Sequence, residues 1–177
     1  MARTIATLIT VAVLLGLLGL MLRSWRARSR RDAALPSGYL LPVELAVQLA
    51  SASVLYVATT LRAQPLERLQ IRGLGFRARA HLTITEAGVI LALAGEEAVF
   101  IPASAIAVLQ DATVAIDRAV ETDGLLLLGW RLPDASNQIV DSYFRILDPS
   151  DRVSVNDAIR TIAADALRPA ARDESEA

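Results

Sequence analysis

The chain has 177 residues, 54% of them apolar, with one histidine, no cysteine and a formal net charge of −1. The missing thiols exclude disulfide scaffolds, thiolate catalysis and cysteine-based zinc sites. The charge is unevenly placed: the first 31 residues carry six arginines and no acid, the rest twelve arginines against nineteen acids, a balance of −7. An acidic domain of that kind lacks the positive surface that nucleic acid requires.

Residues 4–22, TIATLITVAVLLGLLGLML, are nineteen positions without a charge. As a helix they extend about 28 Å, close to the roughly 30 Å hydrocarbon layer. Residues 1–22 are therefore expected to form a transmembrane anchor. A cleaved signal peptide would need a shorter apolar run and a small-residue cleavage site. Here the run is followed by Arg23, Trp25, Arg26, Arg28, Arg30 and Arg31. This collar is a membrane-interface element, with Trp25 where an interfacial aromatic belongs. Its arginines outnumber the lone Arg3 before the helix, so the positive-inside rule puts the N-terminus outside and the rest in the cytoplasm, at the cell membrane. Collar arginines also attract anionic membrane lipid. Ala12, Gly16 and Gly19 offer a small-residue face for weak self-association.

Residues 23–52 are expected to be collar and linker. Residues 39–61 are apolar but hold Pro42, Glu44 and Gln48, which argues against a second span. The expectation is a short helical turn leading into a strand at residues 53–60. Residues 75–85 alternate: Phe76, Ala78, Ala80, Leu82 and Ile84 on one face, Arg77, Arg79, His81, Thr83 and Thr85 on the other. Period two makes a half-buried strand. Strands are also expected at 89–93, 98–101, 106–109, 113–116, 125–132 and 139–147, with turns at 86–88, 94–97, 123–124 and 133–137. A short helical turn falls at 102–106.

The period then changes. Asp148-Pro149 fits an N-cap with proline at the first helical position. Val155, Ala158, Ile159, Ile162, Ala166 and Leu167 form one stripe, and the helix is expected to run to about Pro169. Residues 169–177 read as a disordered acidic tail. The fold class is thus mainly β: an N-terminal transmembrane helix, then at residues 53–168 a small barrel or sandwich of about seven strands capped by an amphipathic helix.

Several strings carry a family likeness: Tyr56-Val57-Ala58-Thr59-Thr60, then Arg72-Gly73-Leu74-Gly75-Phe76-Arg77-Ala78-Arg79-Ala80, Gly129-Trp130-Arg131-Leu132 and Asp141-Ser142-Tyr143-Phe144-Arg145. With the anchor, they resemble the actinobacterial single-pass membrane proteins with a bacterial pleckstrin-homology-like (PH-like) domain. The resemblance implies a PH-like fold and a membrane or export-related setting. Ala58, Pro133 and Ser142-Tyr143 depart from that family's usual residues.

No catalytic, cofactor or metal motif emerges. His81 stands alone on a polar strand face, no Gly-x-Ser-x-Gly elbow is present, and Gly73-Leu74-Gly75 lacks the third glycine of a dinucleotide fingerprint. Glu96-Glu97 read as a solvated turn. Arg72, Arg77 and Arg79 are the candidate contacts for an anionic headgroup or ligand, since guanidinium forks suit phosphate. The competing expectation is that this acidic domain's own carboxylates pair with them. Trp130, Tyr143 and Phe144 read as core, and an apolar sheet edge can accept a peptide by strand addition. The expectation is a non-enzymatic scaffold binding an unknown protein partner or lipid from the membrane; the alternative is an accessory subunit of a transport or export complex.

Overall fold

The computed structural model describes residues 2–32, 35–44, 46–62, 64–115, 118–119, 124–134 and 137–167. The chain divides into two compact units, Met1–Ala34 and Leu35–Ala177. The first contains one helix, α1 (Ala2–Asp32). Its segment Thr4–Ala27, 24 residues long, is apolar and long enough to cross a membrane, and its hydrophobic window has no buried residue. The helix does not stop with the apolar run at Leu22: the arginine collar continues it. Arg23, Trp25, Arg26 and Arg30 are exposed there, and Arg28 and Arg31 belong to the same helix.

The second unit is a mainly antiparallel β structure with a C-terminal helix. Its strands are β1 (Gln48–Leu61), β2 (Gln64–Arg68), β3 (Ala78–Thr85), β4 (Gly88–Leu93), β5 (Val99–Pro102), β6 (Ile106–Ala112), β7 (Val114–Ala115), β8 (Arg118–Ala119), β9 (Leu125–Arg131) and β10 (Ile139–Ile146). A single 3-10 turn, Ala103–Ala105, joins β5 to β6. Eight strands form one sheet in the order β5-β4-β3-β1-β10-β9-β6, with β2 paired to β1. The pair β7-β8 stands apart.

β1 is the hinge of this arrangement. Its first part pairs with β3, from Gln48 to Tyr56, and its second part with β10, from Val54 to Leu61. A register shift between Tyr56 and Ala58 lets one strand serve both halves, as a bulge bends and twists its strand. The strand begins at Gln48, earlier than residue 53, and residues 39–44 contain no helical turn. The alternation of β3 holds from Ala78 onward, with Ala80, Leu82 and Ile84 buried. Phe76 departs from it: it is 74% exposed, because residues 72–76 form turns and a bend before β3 begins.

Inward side chains make one core, including Leu82, Ile84, Leu91, Ile101, Trp130 and Phe144. A smaller cluster, Leu125, Leu127 and Tyr143, lies on the opposite face of β9 and β10. α2 (Pro149–Ile162) closes the core with Val155 and Ile159, both fully buried. Asp148 caps it as expected, accepting from the Ser150 backbone N–H at 2.8 Å. The helix ends at Ile162 rather than near Pro169, and turns follow to Leu167. Ala166 is accordingly exposed, while Ala163, outside the expected stripe, is buried. The expected turn at 123–124 lies partly, and the acidic tail wholly, outside the described residues.

The two terminal strands of the sheet differ. β5 is covered: Tyr39 forms an antiparallel bridge to Phe100, its N–H donating to the Phe100 carbonyl at 2.9 Å. The Tyr39 hydroxyl donates to the Arg131 carbonyl at 3.2 Å, so this one residue ties β5 to the far end of β9. Gly38 makes the close approach possible. Its φ is +147°, and a Cβ there would sit 2.6 Å from Val99 Cγ1. No segment pairs with the outer edge of β6 among the described residues.

Candidate interaction surfaces

The four strings that carry the family likeness meet inside the domain, on a chain of buried hydrogen bonds. Trp130 Nε1 donates to Ser142 Oγ at 3.0 Å. Ser142 Oγ and Thr59 Oγ1 are 2.8 Å apart. The Tyr56 hydroxyl lies 2.9 Å from Thr59 Oγ1 and 2.7 Å from the Leu74 carbonyl. A carbonyl can only accept, so the Tyr56 proton points to Leu74. Thr59 must then donate to Tyr56, and Ser142 to Thr59. The run from Trp130 to Leu74 thus has one direction, and each hydroxyl donates once and accepts once. Burial pushes the Tyr56 phenol far above its ordinary pKa, against the smaller opposing effect of Thr59 and Arg68. Tyr56 also packs on Phe144, ring centroids 6.0 Å apart. The polar atoms of these residues are spent on one another inside the core.

A second polar group lies on the other face of β10. Arg62 Nη1 donates to Asp141 Oδ1 at 3.2 Å, with side chains 42% and 7% exposed. Burial raises the Asp141 carboxyl above its ordinary 3.8, and Arg62 offsets part of the rise. Gly129 makes room for the pair: a Cβ there would lie 2.8 Å from Asp141 Oδ1 and 3.1 Å from Arg62 Nη1. Thr60 Oγ1 is buried beside it, next to the Tyr143 phenol and without a well-formed hydrogen bond among the described residues. The Tyr143 phenol is also raised, chiefly by burial. Nothing in residue spacing marks Arg62, which has to be found from the pairing of β1 with β10.

The three candidate arginines do not converge on one site. Arg72 lines a concavity of about 440 Å³ with Leu40, Leu41, Gly73, Glu96 and Glu97. Arg79 lines a different, apolar groove of about 660 Å³ on β1, β3 and β4, with Ser53, Leu55, His81, Ala92 and the exposed Leu147. Arg77 is exposed just before β3 and lines neither. None of the three forms an ion pair among the described residues. The expected pairing to the domain's own carboxylates is absent there; Arg62–Asp141 and Arg152–Asp111 are instead ion pairs. Arg68 is also committed internally, donating to the Val57 carbonyl at 2.6 Å and the Gly75 carbonyl at 3.2 Å.

His81 is exposed, opposite Ser53 on one side and Ala92 on the other. Among the described residues, no group of three or more histidine, aspartate or glutamate side chains is placed to hold a metal ion. On α1, Gly16 and Gly19 have open space where a Cβ would stand.

The family model for bacterial PH domain-like proteins matches residues 34–160. The chain belongs to that family. No curated protein matches it. Among solved structures it is similar to the C-terminal phosphotyrosine interaction domain of mouse APBB2, at 11% identity and a TM-score of 0.47, covering 76% of this chain and 97% of that one.

Proposed function

We propose that this chain is a membrane-tethered, non-enzymatic interaction module. Helix α1 anchors it in the cell membrane with the N-terminus outside, and the PH-like domain works as a recruitment platform on the cytoplasmic face. The observation that carries the reading is a 24-residue apolar segment with an unburied window, joined to a domain whose Tyr56, Thr59, Trp130 and Ser142 polar groups are consumed by its own core. Confinement to the bilayer raises the domain's effective concentration for partners held there. Membership of the PH domain-like family supports a protein or lipid partner in general. Arg72, exposed and unpaired in its concavity, is the best placed of the three arginines for an anionic group; Arg77 and Arg79 act from separate positions.

Because the chain has no cysteine, topology can be tested with single substitutions. Ala2→Cys should react with a membrane-impermeant maleimide on intact cells, and Asp157→Cys only after permeabilisation. Reversed labelling refutes the orientation, and release by alkaline carbonate refutes the anchor. The second reading, an accessory subunit of a transport or export complex, draws on the open small-residue face at Gly16 and Gly19. Replacing residues 4–22 by polyleucine separates the two. A tether keeps its captured partners; a subunit with specific helix contacts loses them.

A further inference from the structure

We infer that Leu40, Leu41, Val43 and Val47 form a bilayer-docking surface of the domain, seated at the boundary of headgroups and acyl chains. Leu40 is 95% exposed, Val43 103% and Val47 64%. Four exposed aliphatic side chains within eight residues are the kind of apolar exposure that marks an interaction surface. The backbone beneath it is fixed at both ends. Tyr39 is tied to Phe100 and Arg131 on one side, and the Glu86 N–H donates to the Val47 carbonyl at 3.1 Å on the other. Both ends of the segment are therefore fastened to the sheet.

The chemistry selects a bilayer over a protein partner. The described side chains of the loop are leucine, proline and valine up to Glu44, so they offer apolar volume and no hydrogen-bonding pattern to read. Arg72, without an ion pair among the described residues, shares a concavity with Leu40 and Leu41, a guanidinium beside aliphatic tips that matches phosphate above acyl chains. Glu44 in the loop, with Glu96 and Glu97 on the same concavity, offsets that charge, so the docking is driven by apolar insertion and depends little on anionic lipid. Proximity is set by the chain. Seven residues separate Asp32, the end of α1, from Leu40, a reach of at most about 28 Å over the eight steps. That tether keeps the membrane surface within the loop's reach, and a high effective concentration favours even weak insertion. This inference rests on the reading that α1 spans the bilayer.

The test uses the full chain in phosphatidylcholine vesicles, with and without phosphatidylglycerol. Leu40→Cys and Val43→Cys carry an environment-sensitive fluorophore, and spin-labelled lipids serve as quenchers. Val13→Cys within α1 and Asp157→Cys on α2 are the membrane and water references. Leu40 and Val43 labels should be quenched several-fold more than the Asp157 label, in both lipid mixtures. Adding Val43→Asp to the Leu40→Cys chain, in a Trp25→Phe background, should abolish most of that quenching while Trp130 emission stays unchanged. Labels at 40 and 43 that match Asp157 while Val13 is quenched overturn the docking surface and leave the anchor standing. Labels shielded from water yet unquenched by lipid indicate a protein occupant and overturn it too. An unquenched Val13 label overturns the anchor and the docking surface together.

Discussion

Trp130 and Ser142, on neighbouring strands, share a buried hydrogen bond of 3.0 Å from the indole N–H to the hydroxyl. It is the first link of a relay that ends on the Leu74 carbonyl. Trp130→Phe leaves Ser142 Oγ without its donor in a site that water does not reach. The expected loss is about 1–3 kcal/mol. A Trp25→Phe background makes Trp130 the sole tryptophan, since the chain has two. Denaturant titration of detergent-solubilised protein then reads the loss by fluorescence for Ser142→Ala, and by circular dichroism for Trp130→Phe.

Two adjacent threonines should respond in opposite ways. Thr59 sits in the relay between Ser142 and Tyr56, so Thr59→Val strands two hydroxyls and is expected to cost about 1–3 kcal/mol. Thr60 Oγ1 is buried beside the Tyr143 phenol, without a well-formed hydrogen bond among the described residues. Thr60→Val keeps its shape, removes that poorly paired hydroxyl and is expected to be neutral or stabilising by about 1 kcal/mol. A midpoint unchanged by Thr59→Val would contradict the relay, and one that falls with Thr60→Val would show that the Thr60 hydroxyl is well paired.

Gly129 is required for space. An alanine there must displace Asp141 or Arg62, whose contacting atoms lie 2.8 and 3.1 Å from the added Cβ, or Val108, whose Cβ lies 2.9 Å away. Gly129→Ala is expected to lose about 1–3 kcal/mol, the usual range for overpacking. Ala107→Gly, on the neighbouring strand away from that pair, is a control for handling and should leave the Arg62–Asp141 contact intact by NMR.

Acidity acts on two aspartates with opposite sign. The folded Asp141 carboxyl titrates above its ordinary 3.8, so the folded state holds this proton more tightly. Its contribution is full below that value and is lost as pH rises through the folded pKa. Arg62→Ala removes the offsetting cation, so its destabilisation should be larger at pH 7 than in acid. Asp148 is lowered by its bonds to Ser150. Its contribution is present above the ordinary value and lost as pH falls through the folded pKa. Melting curves of Asp141→Asn and Asp148→Asn across acid pH should therefore slope apart.

Much of this architecture is legible in the residues. Period two over residues 78–85, the apolar run at 125–131 and the Asp148-Pro149 cap each follow from local rules. The misses have local causes. Phe76 looks like part of the β3 alternation, but Gly73 takes φ +78° and starts a turn, which breaks the period before β3. β2 contains Pro65, a residue that argues against a strand except at an edge. The candidate arginines are adjacent in sequence but open onto different concavities, because a turn lies between Arg72 and Arg79. The relay is the least legible feature. Thr59 and Ser142 are 83 positions apart, and either alone is an ordinary hydroxyl residue.

The Tyr39 tie has a mechanical meaning. The chain between α1 and β1 is fastened to the sheet edge first at Tyr39, by two hydrogen bonds, and again at Val47, just before β1. A pull along that linker loads Tyr39 before it loads β1. The first thing such a pull would unzip is the cover of β5, exposing a fresh strand edge while the core stays shut.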